Sequence, residues 1–489
     1  MADDSRRPNA LLICTDHWSG LLTQQHPVVM TPTLVQLGRS GVTFTQAYSA
    51  CPSCVPARRT LMTGMNARSH GDRSFKDRNP MPDAPTMAQC FQNAGYQAYA
   101  VGKLHVYPQR DRIGFNDVIL EEQGRHQFDG RADDYELFLA DQGYAGMEYA
   151  SGMCHNDFMA RAWHLPEYCH PINWAVREMS RTIHRRDTRK PGFWYLSFSA
   201  PHPPQTPLQA YLDLYRDVEI DRPTTGDWSS DPDKLPYTLK YRNAGLSALC
   251  GAPWHEQAQA RRAFYATLTH IDHQIRLVLG LMREEGILDD TLILFTGDHG
   301  HMIGEHGLWC MTPFYEMSAK IPLILVPPRG DTRFALGTED DRLAEFGDIM
   351  PTLLDMCGLP IPDSVDGISL ASDERREYLY GEHFEEDLGM RMVRAGRFKL
   401  IYYATGNRVQ LFDIENDPRE TTDLSEDARY ADELNRLKGL LIQNLYGSDE
   451  AWIQNGELVG LPEKAFSPTD ERTLIDSRNL MTQRGLRFL

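Results

Sequence analysis

No run in the 489-residue chain approaches the roughly 20 consecutive apolar residues that a membrane-spanning helix needs. The first apolar stretch, Ala10 to Cys14, is too short for the core of a secretory signal and breaks at once into Thr15-Asp16-His17. Cysteine is scarce. The nine present are odd in number, scattered, and without a recurring pair at zinc-finger spacing, so neither a disulfide framework nor a zinc ribbon is expected. Positive charge is in deficit, 50 basic against 68 acidic side chains for a net −18, which argues against a general nucleic-acid binder. Neither a nucleic acid nor a membrane is expected as a partner, and the default compartment is the cytoplasm. Repeats and low-complexity segments are lacking too. With 41% hydrophobic and 24% charged residues the chain is ordinary globular material, neither disordered nor fibrous.

What is present is an alternation of short apolar runs and helical patterns. Ala10–Cys14, Gln97–Val101, Phe193–Phe198, Thr291–Thr296 and Ile321–Val326 resemble the fully buried strands of a parallel sheet, and Val42–Thr45 alternates like a strand. Between them lie helix patterns at about Thr33–Arg39, Cys54–Thr63, Thr86–Ala94 and His255–Glu285. The fold class expected is α/β, a mostly parallel central sheet between helices, over residues 1–373. From 374 to 446 short alternating strands and a helix from about Asp427 to Leu445 predict a small α+β subdomain with an antiparallel sheet. Residues 447–489 form a polar tail suited to oligomer contacts. Stretches 106–190 and 203–250 carry no strong periodicity and are expected to shape the mouth of a pocket.

Ligands of such sheets gather beyond the carboxyl ends of the strands. Asp16, Lys103, His105, His202, Asp298 and His299 all fall there. Converging carboxylates suit a hard divalent cation. Cys54 opens a helix pattern, where backbone N–H groups and the positive end of the dipole favour a thiolate, and Arg58 lies one turn along on the same side.

The string Cys54-Val55-Pro56-Ala57-Arg58-Arg59-Thr60-Leu61-Met62-Thr63-Gly64 closely resembles the signature of the formylglycine-dependent sulfatases of the alkaline phosphatase superfamily. Leu294–Gly300, Glu305-His306-Gly307, Gly102-Lys103-Leu104-His105, Pro201-His202-Pro203-Pro204, Asp348–Leu354 and Leu411–Glu420 resemble further family strings, and about four-fifths of the chain is covered. The resemblance implies an alkaline-phosphatase-like sandwich and a sulfuric ester hydrolase. It implies that Cys54 is oxidised to formylglycine, the nucleophile, with Arg58 as its stabilising cation, Lys103 and His202 on the sulfate, and His105 as base. One divalent metal, calcium, manganese or magnesium, would be held by Asp16, His17, Cys54, Asp298 and His299. The chain departs from the family at Met311, where many relatives have a lysine; either Lys320 or another cation substitutes, or the enzyme prefers good leaving groups or an unusual substrate, or it is a weak or specialised catalyst. His70, His255, His270, His273 and His301 lie outside the motifs and are expected to be structural or solvated.

The partners implied are a small-molecule sulfate ester, a formylglycine-generating enzyme during maturation, and further copies of the chain in a homo-oligomer. Aryl, choline and sugar sulfates are not separated by these motifs. Phosphonate monoester or phosphodiester hydrolysis would use the same machinery. A non-catalytic anion-binding protein with an unmodified Cys54 is the reading from a different class.

Overall fold

The computed structural model describes residues 7–466 except 24, 77, 124–131, 154–159, 232–233, 247–248, 250 and 310. Eight strands build its central sheet: β1 (Asn9–Thr15), β2 (Val42–Tyr48), β3 (Gln97–Gly102), β4 (Asp117–Leu120), β5 (Gly192–Phe198), β6 (Thr291–Gly297), β7 (Leu323–Val326) and β8 (Thr338–Glu345). Their order is β4-β3-β5-β1-β6-β7-β2-β8. Only β7 runs against its neighbours; the other pairings are parallel.

Every residue of β1, β5 and β6 is buried, because helices cover both faces of the sheet. Alternate residues feed two cores. Leu11, Ile13, Trp194, Leu196, Ile293 and Phe295 face one, under the long helix Trp254–Glu284 and the helix Pro171–His184. Ala10, Leu12, Phe193, Tyr195, Leu292 and Leu294 face the other, under the helices Cys54–Thr63 and Ile349–Met356. Each buried aliphatic or aromatic side chain contributes about 1.5–3 kcal/mol of burial.

The differences from the sequence expectations have local causes. The run Ile321–Val326 becomes a strand only from Leu323, since Pro322 has no N–H for the ladder. The β8 segment, Thr-Glu-Asp-Asp-Arg-Leu-Ala-Glu, shows no apolar alternation because it is a partly solvated edge, and charges there discourage pairing with another chain. The stretch expected to lack periodicity contains the helix Pro171–His184, whose apolar stripe is Ile172, Val176, Met179 and Ile183. His170 caps it, its side chain accepting from the Ile172 N–H, and Pro171 occupies the first turn.

The C-terminal subdomain is an antiparallel sheet of β9 (Tyr378–His383), β10 (Met390–Ala395), β11 (Phe398–Tyr403) and β12 (Arg408–Asp413), ordered β12-β11-β10-β9. The helix expected from Asp427 starts at Ala431, and Leu437 and Leu441 seat it on this sheet. Buried Lys399 joins the two units, its ammonium 2.7 Å from Glu316 and 2.6 Å from Glu420. Residues 447–466 are no loose tail. Trp452 is buried under the Arg391 guanidinium, 4.8 Å from its ring, and two short strands, Ile453–Gln454 and Glu457–Leu458, follow. The remainder of the expected tail, 467–489, lies outside the described residues. No helix among the described residues is long and apolar enough to cross a membrane.

Candidate active site

Strand register brings the candidate residues to one edge. Thr15 lies opposite both Phe198 and Gly297, so Asp16 and Asp298 leave adjacent strands side by side. The Asp16 N–H donates to Phe198 O and the Asp298 N–H to Thr15 O, which fixes both turns. Gly102 at the end of β3 pairs with Ser197, and the next N–H, of Lys103, donates to Ser197 O. A side chain at Gly102 (φ +100°) would sit 1.8 Å from that carbonyl, so only glycine allows this approach.

Cys54 is the first residue of a helix whose ten residues are all buried, and it projects into this edge. Its Sγ lies 3.4 Å from Asp16 Oδ1, 3.3 Å from His299 Nε2 and 3.9 Å from His17 Nε2. Donor atoms of Asp16, His17, Cys54 and His299 all fall within 4.8 Å of one another. Asp298 orients the two imidazoles: its Oδ1 accepts the backbone N–H of His17 (3.2 Å) and of His299 (2.9 Å). Its Oδ2 accepts from Arg58 Nε at 3.0 Å. The other arm of Arg58, Nη1, donates to Lys103 O, Ser197 Oγ and the Tyr195 hydroxyl. Nη2 of Arg58 and Nδ1 of His17 are buried with no hydrogen-bond partner among the described residues.

The charges are set by enclosure. Burial alone would push the Asp16 carboxyl up, yet the Lys103 ammonium bonded to it, with His17, His202 and Arg58 nearby, holds it well below the usual carboxylate range. Asp298 is pushed up, by burial and by the Asp16 charge, against the pull of His299, Arg58 and Lys103. Burial also drives His17 far down, more than Asp16 can restore, so its imidazole is neutral, the form that binds a metal.

A divalent cation fits this donor set. An ionised carboxylate, two imidazoles and the Cys54 side chain converge in a space closed to solvent, with the Asp298 carboxyl 3.8 Å from His299 Nε2. That mixture of oxygen and nitrogen ligands suits manganese as well as harder ions. The orphaned Arg58 Nη2 has no acceptor among the described residues, as expected where an anionic oxygen belongs.

Other expected residues are placed differently. His202 stands at the edge of the cluster, its ring 4.4 Å from His17, and lines a cavity of about 50 Å³ together with Gln123. His105 does not follow Lys103 in an extended i, i+2 geometry, because the backbone turns at Gly102 and takes φ +59° at His105 itself. Its N–H donates to Glu122 Oε1, and its ring packs edge-on against Phe75 at 5.6 Å. Lys320 is 3.6 Å from Glu316, one helical turn earlier, and lines a cavity of about 310 Å³ that none of the cluster residues borders.

Four participants lay beyond the motifs. Tyr195 and Ser197 bind Arg58, and their signal was two polar residues on alternate positions of an apolar strand. Gln123 accepts from Lys103 Nζ at 3.2 Å and had no signal. His301, expected to be structural, has its ring 5.2 Å from His17, two residues after His299.

Comparison with known proteins agrees with this geometry. Residues 8–359 match the family described as Sulfatase, and 304–445 match the description N-sulphoglucosamine sulphohydrolase, C-terminal. The chain is 34% identical over 474 residues to an arylsulfatase of Clostridium perfringens, covering 93% of this chain and 97% of the relative. It is 28% identical to a choline-sulfatase of Rhizobium meliloti, covering 86% and 83%. The crystal structure of a phosphonate monoester hydrolase from Agrobacterium radiobacter superposes with a TM-score of 0.77 at 22% identity, over 93% and 99% of the two chains, and shares the fold. The chain therefore belongs to the sulfatase family, an enzyme of the alkaline phosphatase superfamily.

Proposed function

We propose that the enzyme hydrolyses sulfate monoesters, using a formylglycine derived from Cys54 and one divalent metal held by Asp16, His17, Asp298 and His299. The observation that carries this reading is the convergence of Asp16, His17 and His299 on the Cys54 side chain, at the head of a buried helix. When present, the metal would supply positive charge, and the aldehyde, once hydrated to a geminal diol, would supply the hydroxyl nucleophile. The chain's own residues do the rest. Lys103 and Arg58 Nη2 offer donors to the non-bridging sulfate oxygens, in a site closed to water where such bonds are strong. Asp298 keeps His17 and His299 in position through their backbone N–H groups, and Arg58 neutralises Asp298. His202 faces the cavity and is placed to contact substrate entering from that side.

The same reading places the enzyme in the cytoplasm as a homo-oligomer, matured by a formylglycine-generating enzyme and acting on a small sulfate ester. The acidic composition and the absence of a long apolar run support the compartment. A kinetic panel of 4-nitrophenyl sulfate, 4-nitrophenyl phenylphosphonate and bis(4-nitrophenyl) phosphate tests the reaction. The highest kcat/KM is expected on the sulfate. A clear excess on the phosphonate would reassign the enzyme to phosphonate monoester hydrolysis.

A further inference from the structure

His383 ends β9 in the C-terminal subdomain, away from every motif in the sequence. It is fully buried, and neither ring nitrogen has a hydrogen-bond partner among the described residues. Buried polar groups in folded proteins are nearly always paired, and each one left unpaired costs about 1–3 kcal/mol. An imidazole kept this way at both nitrogens points to a partner that is not part of the chain.

The surroundings say where that partner sits. The Glu382 N–H donates to Ala50 O and the Phe384 N–H to Arg73 O, both at 2.9 Å. Ala50 opens the short loop that leads into the Cys54 helix, so one loop positions both side chains. Leu379, Gly381 and His383 share a face of β9. At Gly381 a side chain would meet Phe314 at 2.7 Å, which shows that this face is turned toward the catalytic unit. Arg391 Nη1 holds His383 O at 3.0 Å, and φ +60° at Phe384 ends the strand, so the ring cannot swing with the backbone. Burial keeps the ring unprotonated, and the charges of Arg242, Arg391 and His299 act in the same direction.

We propose that His383 is a catalytic residue contributed by the C-terminal subdomain, its neutral imidazole donating a hydrogen bond to the bridging oxygen of the sulfate ester. As a bond forms from the nucleophile's oxygen to sulfur, the bond from sulfur to the bridging oxygen breaks and its electron pair stays on that oxygen. An N–H from His383 shares the developing charge without giving up its proton. The half-buried Met311, a thioether, offers no such donor. This inference rests on the sulfatase reading above.

The test uses the full-length, formylglycine-containing enzyme and a series of aryl sulfates running from 4-nitrophenyl to phenyl sulfate. In His383→Ala, kcat/KM on phenyl sulfate should fall on the order of 100-fold, while the loss on 4-nitrophenyl sulfate stays within a few-fold, because a poor leaving group depends most on the donor. His383→Gln, which keeps an N–H, should recover most of the loss. His383→Ala removes a buried ring that packs on Phe384 and should lower the unfolding temperature modestly, whereas His383→Gln, which fills most of that space, should stay near wild type. An equal loss across the series, or a loss that follows a fall in unfolding temperature and is not rescued by glutamine, would make His383 structural and overturn the proposal. A wild-type enzyme that cleaves none of the sulfates would overturn the sulfatase reading itself, and this inference with it.

Discussion

Arg58 ties the Cys54 helix to the strand-end carboxylate Asp298. Its Nε neutralises Asp298, and its Nη1 gathers Lys103 O, Ser197 and Tyr195. The pair with Asp298 is enclosed, with side-chain exposures of 1% and 0%, so its members stabilise the fold only together. Arg58→Met removes the cation and leaves a carboxyl that burial and Asp16 already push up. A loss of about 3–5 kcal/mol in unfolding free energy is expected, together with loss of turnover. Denaturant unfolding checks it. A variant as stable as wild type would show that Asp298 is neutral in the folded enzyme and that Arg58 serves the substrate alone.

At the scale of elements, the helix Pro171–His184 depends on its cap. His170 Nδ1 accepts the Ile172 N–H and Nε2 donates to Thr206 O, an arrangement that requires the neutral ring. Burial pushes this histidine down to about 4, from an ordinary value of 6.5. Between those values the unfolded chain binds a proton that the folded chain does not, so the contribution is complete above pH 6.5 and is lost as pH falls toward 4. His170→Asn keeps a capping acceptor and removes the titration. Relative to that variant, the wild type should lose about 3 kcal/mol on going from pH 7 to pH 4, measured by paired unfolding curves. Parallel pH profiles would contradict the neutral cap. The same helix shows what was legible in the sequence. Asp16 and Asp298 could be placed because each ends an apolar run, and Arg58 because i and i+4 share a helix face. His105 could not, because positive φ at Gly102 and at His105 itself bends what looked like an extended segment. Lys320 was misleading for another reason, since Glu316, four residues back, holds it beside a different cavity. Gln123 gave no local signal at all; only the tertiary fold brings it to Lys103.

Across the whole molecule, buried ion pairs join the two units, Arg73 of the catalytic unit meeting Asp449 and Glu382, and Lys399 bridging in the other direction. Lys399 of the C-terminal sheet meets Glu316 of the catalytic unit and Glu420 of its own, with no exposure of its side chain. Burial and the neighbouring Glu316 charge push Glu420 up to about 7 against the pull of Lys399, whereas that same lysine outweighs burial at Glu316 and brings it to about 2. Lys399→Met should therefore destabilise the enzyme by about 3–5 kcal/mol at pH 8, where Glu420 would be charged without its lysine and Glu316 would keep Lys320, 3.6 Å away, in place of the pair. Calorimetry would detect it, and an unchanged unfolding temperature would show that Lys399 is not what holds the subdomain in place. That docking also sets the backbone beside His383, where the Glu382 N–H donates to Ala50 O in the loop before Cys54. The central claim is that Cys54 becomes the nucleophile. The most direct measurement is the mass of the Cys54 peptide from enzyme produced with a formylglycine-generating enzyme, taken alongside turnover of 4-nitrophenyl sulfate by the same sample. The account predicts the aldehyde, with activity proportional to its fraction; an active enzyme whose Cys54 is wholly thiol would contradict it.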